Sequence, residues 1–108
     1  MNDEVPDSLN DEELRETLNL QTGKLDWKDL ERFFARGVLV SVASDLDLVE
    51  VAVNVIKDNK QQIQAWLSAN LLANASAENA REWERNDTRF WAVVAAPWVL
   101  VQEIASKA

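Results

Sequence analysis

Three carboxylates fall within six residues, at Asp45, Asp47 and Glu50. Oxygen ligands at that density suit a hard cation, so Mg2+ or Ca2+ is the cofactor such a cluster would hold. The glycine and the distal glutamate of an EF-hand loop are missing, which excludes that loop. The plainer role for the same residues is to cap and charge the first turn of a helix. Composition cuts back the other chemistry. The chain contains no histidine, cysteine or tyrosine. The usual general base near neutral pH, the thiol nucleophile and the soft metal ligands are therefore gone. Ser-His-Asp and Cys-His systems go with them. Gly23 and Gly37 are the only glycines, so no phosphate-cradling loop can form. Paired carboxylates remain as a route to acid–base catalysis. They need a cleft and a raised pKa on one member.

A second set of candidates is aromatic. Five tryptophans stand in 108 residues. Each buries roughly 150–250 Å² when packed, enough to hold a small fold together without disulfides. Trp27, Trp66 and Trp91 read as core. Trp83 lies among Arg81, Glu82, Glu84 and Arg85. An indole in that setting either projects as an anchor for a partner or folds back as a lid on the core. Trp98 opens the last apolar run and Gln102 closes it, beside Glu103. Trp83, Trp98 and Gln102 are the interaction candidates.

The elements that must position these residues follow from caps and periodicity. Asn10 with Glu13 three residues later starts a helix, with Leu9 placed to staple onto Leu14. Gly23 is its expected stop. Asp26 with Asp29 starts a second helix, with Trp27, Leu30, Phe33 and Phe34 on one face and Gly37 as terminator. Val38 to Val42 reads as a buried strand. Ser44, with Asp47 at the third position, is the expected cap of a helix over 46–56. The valines of that segment also alternate as a strand would. Asp58 caps a further helix bearing Ile63, Trp66, Leu67 and Leu71, with Asn70 as a left-handed stop. Ser76 caps a short helix to about Arg85. Arg89 to Ala95 is apolar on both faces and reads as a central strand. Residues 98–104 read as a strand, with a helix begun at Pro97 as the alternative. The sum is an α+β domain, a small sheet of two to three strands packed against about five helices. Residues 1–8 read as a disordered acidic arm and 9–108 as one globular domain.

The net charge is −8, and residues 1–16 hold seven acids against one base. That balance disfavours nucleic acid and anionic membrane surfaces as partners. The first residues show neither a basic nor an apolar signal region, and no apolar run reaches membrane-span length. A cytoplasmic location is the expectation.

Several stretches together resemble a known family. They are Asp45-Leu46-Asp47-Leu48-Val49-Glu50-Val51-Ala52-Val53, Lys57-Asp58-Asn59, Gln64-Ala65-Trp66-Leu67 and Pro97-Trp98-Val99-Leu100-Val101-Gln102. They resemble the short bacterial proteins grouped as domain of unknown function 2288, over about Glu13 to Gln102. The resemblance implies a bacterial, cytoplasmic, single-domain protein and transfers no catalytic residue. The leading expectation is a non-enzymatic protein-interaction module without a cofactor, in homodimeric form, motivated by the apolar run Phe90 to Val101. The alternatives are a small-ligand or divalent-cation binder using Asp45, Asp47 and Glu50, and a carboxylate-dependent enzyme.

Overall fold

The structure is a computed structural model that describes residues 10–104. The expected acidic arm (1–8), the Leu9 staple and the last four residues lie outside the described residues. Helix α1 (Asp11–Gln21) opens on the expected capping box. Asn10 Oδ1 accepts from the Glu13 amide at 2.8 Å, and Glu13 Oε1 accepts from the Asn10 amide at 3.1 Å. The chain then passes through β1 (Gly23–Asp26), α2 (Trp27–Ala35), β2 (Leu39–Val42), α3 (Leu48–Ile56), α4 (Lys60–Ser68), β3 (Leu72–Asn74), α5 (Ala77–Asn86), β4 (Arg89–Ala95) and β5 (Trp98–Glu103).

The α+β class and the five helices agree with expectation, but the sheet is larger than two to three strands. Among the described residues it has five, in the order β1-β4-β5-β2-β3. β5 pairs antiparallel with β4 and parallel with β2, so the 98–104 segment is a strand over Trp98–Glu103 rather than a helix. The sheet is covered on both faces. Val42, Val93, Ala95 and Leu100 pack with Leu14 and Leu18 of α1 and Leu48, Val51, Ala52 and Val53 of α3. Phe90, Ala92, Val99 and Val101 point the other way, onto Trp27 and Leu30 of α2 and Trp83 of α5. Neighbouring residues of one strand serve opposite layers, as the two-residue strand period requires. This double coverage explains why Phe90 to Val101 carries so little polarity. It also settles the segment around 46–56 as helix: burial on the α1 side outweighs the weak helix propensity of valine.

Two start signals move. Asp47, not Ser44, caps α3; its Oδ1 accepts from the amides of Val49 at 3.0 Å and Glu50 at 3.3 Å. Asn59, not Asp58, caps α4, with Oδ1 accepting from Gln62. Asp58 instead turns left-handed (φ 56°) to end α3. The Asp58 amide donates to Val55 O and the Asn59 amide to Asn54 O, the paired bonds of a Schellman turn. Gly37 (φ 77°), Asn70 (φ 63°) and Asp87 (φ 53°) close α2, α4 and α5 in the same hand. Gly23 is not the stop of α1. The helix ends at Gln21, Thr22 is extended, and Gly23 opens β1.

The left-handed stop at Gly37 leads to a first expected outcome. No atom lies within 4 Å of where a Cβ would sit on Gly37 or on Gly23. Gly37→Ala therefore meets only the backbone cost of a left-handed alanine, about 1–2 kcal/mol. Gly23→Ala, free of that conformation, is expected to stay within about 1 kcal/mol of the parent. Urea midpoints of the two variants check the difference.

Candidate functional site

The acidic cluster disperses once folded. Asp47 is committed to capping α3. Glu50, one turn on, takes Arg15 of α1 in a two-pronged ion pair, with Nε to Oε2 at 2.8 Å and an η nitrogen to Oε1 at 2.9 Å. Asp45 stands exposed in the turn before α3. Among the described residues, no group of three or more carboxylates is placed to hold a metal ion. Asp45, Asp47 and Glu50 are thus a surface residue, a cap and an inter-helix tie, not one ligand set. A second tie runs beside them, from Lys57 of α3 to Asp11 of α1. The hydrogen bond from Lys57, and then its charge, hold the Asp11 carboxyl below its ordinary value. A depressed carboxyl adds stability above its unfolded pKa and loses it as pH falls through the folded one. Both side chains of the pair are half exposed, so screening keeps that contribution small.

The aromatic candidates separate as well. Trp83 does not project toward a partner: it is 2% exposed and stacks into the α2–α5 layer. Its ring lies 5.7 Å from Trp27 and 5.0 Å, edge-on, from Phe90. Its Nε1–H donates to Glu103 Oε2 at 2.9 Å. The charged residues around it in sequence occupy the outer side of α5, and Trp83 with Ala80 makes the inner one. Gln102 acts within the chain too. Its Nε2 donates to Ala43 O at 2.8 Å and Leu46 O at 2.7 Å, spending both protons on the turn that leads into α3. Trp98 lines one surface cleft and Gln102 another, beside Leu46 and Trp91.

Among the clefts that the described residues form, two lie against the faces of the sheet. The larger, about 780 Å³, lies between α2 and the β1–β4 edge. Phe33, Ala92, Val94 and Val99 make its apolar wall, and Lys28, Asp29, Glu31 and Arg32 form a rim of both signs. β1 ends opposite Ala92, so β4 runs three residues past its neighbour, Val93 to Ala95. Val94 is left 56% exposed there. Sequence reasoning missed this site, because nothing local shows that β1 stops short. The second cleft, about 390 Å³, lies on the opposite face between α4 and the strands β2, β3 and β5, with Trp98 in its wall. No helix among the described residues is long and apolar enough to cross a membrane.

The profile of the family described as protein of unknown function (DUF2288) matches residues 13–103. The chain belongs to the DUF2288 family. A solved relative by structure is PA1075 from Pseudomonas aeruginosa, determined in solution by NMR. It is 38% identical, covers 97% of this chain and 96% of its own, and superimposes with a TM-score of 0.78. No curated protein matches the chain.

Proposed function

We propose that this protein is a cytoplasmic, non-enzymatic interaction module that pairs with a second copy of itself through the open end of β4. The observation that carries the reading is the stretch Val93–Ala95, paired with β5 on one side and open on its β1 side among the described residues, with exposed Val94 beside the Phe33 wall. A strand edge of this kind is a template for another strand. The rim supports self-pairing over a foreign partner. Lys28 and Arg32 sit beside Asp29 and Glu31 on one helix, so a two-fold contact that sets Lys28 against Glu31, or Asp29 against Arg32, is matched in charge on both copies at once. The non-enzymatic part rests on the carboxylates having structural work. Asp47 and Asp29 cap helices, Glu50, Asp26 and Asp11 pair with basic residues, and Glu103 accepts the Trp83 indole.

Light scattering on a sizing column is the test. At about 50 µM, a micromolar Kd keeps most of the protein dimeric. Val94→Asp places a charge on the joint and is expected to give a monomer with an unchanged circular dichroism spectrum. A parent protein that is strictly monomeric at that concentration overturns the reading.

A further inference from the structure

The second cleft is independent of the β4 edge, and its shape and lining point to a small ligand. We propose that it binds a medium-chain aliphatic carboxylate, with the chain between α4 and the sheet and the head group at Lys60. Size argues for a small molecule. The cleft has a volume of about 390 Å³. The same volume lies within the range of ordinary ligand pockets, roughly 300–1,000 Å³.

The lining selects an apolar body. Val40, Leu72 and Leu100 form the floor beside Trp98, and Ile63 and Leu67 hang from α4 above. That roof is poorly seated. α4 carries no fully buried residue, and Leu67 is 42% exposed. An aliphatic chain in the cleft would bury apolar surface that the fold leaves half-wet, at about 25 cal/mol per Å². The rim selects the head group. Lys60 and Asp58 both stand on it, 3.9 Å apart with both side chains exposed, so the ammonium is loosely held and a head group meets it on the side away from Asp58. A carboxylate at the cleft mouth would make a shorter, charge-assisted contact with that ammonium.

The test is a titration of the full chain with sodium decanoate and with 1-decanol, read by amide and indole N–H chemical shifts. Saturable shifts are expected at Trp98, Leu67 and Leu72. Lys60→Gln should weaken decanoate by about tenfold and leave decanol unchanged, whereas Leu67→Glu should abolish both. Lys60 and Leu67 are exposed, so neither variant threatens the fold. Failure to saturate by about 1 mM, weak even for a small ligand, overturns the site, as do shifts centred elsewhere. Equal decanoate affinity in Lys60→Gln overturns the carboxylate. The oligomeric state of the protein bears on neither result.

Discussion

Trp83→Ala is expected to remove about 3–5 kcal/mol of stability, the range for truncating a large buried aromatic ring. The ring joins three elements: it touches Trp27 at the start of α2, Phe90 in β4 and, through its indole N–H, Glu103 at the end of β5. A cavity at that point cannot be refilled by one neighbour, because each belongs to a different element. Trp83→Phe keeps most of the packing and loses the hydrogen bond. A cycle of Trp83→Phe with Glu103→Gln should then show a coupling of about 1 kcal/mol or somewhat more, as for a bond to a charged acceptor. Urea unfolding measures all four species. A Trp83→Ala protein within about 1 kcal/mol of the parent would contradict a buried ring.

Gln102→Leu is the second large effect, expected to cost about 2–3 kcal/mol. The substitution leaves Ala43 O and Leu46 O without the amide that satisfies both, and each orphaned carbonyl carries a desolvation cost of about 1–3 kcal/mol when shielded. The damage should be local before it is global. The turn from Ala43 to Leu46 leads directly into the Asp47 cap, so amide exchange at Val49 and Glu50 should quicken more than exchange in β5 itself. Gln102→Glu turns two donors into acceptors facing carbonyls and should exceed the leucine variant at neutral pH. Unchanged exchange at the start of α3 would show that the turn holds itself.

These two residues also show what the sequence disclosed. The helices were legible because a cap and an apolar period coincide in each, as at Asn10 with Leu14 and Leu18, or at Asp26 with Trp27 and Leu30. The central strands were legible because both faces of Arg89 to Ala95 are apolar. The edge strands β1 and β3 were not. They span four and three residues, each pairs on one side only, and neither needs an apolar pattern. Ser44 and Asp47 are both good caps, and only the turn held by Gln102 decides between them. Trp83 was left open between anchor and lid because its sequence neighbours are charged, while the contacts that make it a lid lie on other elements. The acidic cluster was grouped by sequence proximity, but Arg15, 35 residues away, claims Glu50. Partners that far apart leave no local period or cap signal.

The position of β5 bears on how the chain is made. Residues 99–101 lie between β4 and β2, and both apolar layers draw on them: Leu100 for one, Val99 and Val101 for the other. A ribosome delivers this strand after every other described element. Until it emerges, β2 and β4 have no common neighbour and neither layer can close. The nascent protein must therefore keep its apolar strands apart for nearly the whole of translation, so late-stage chains are the ones expected to engage a chaperone.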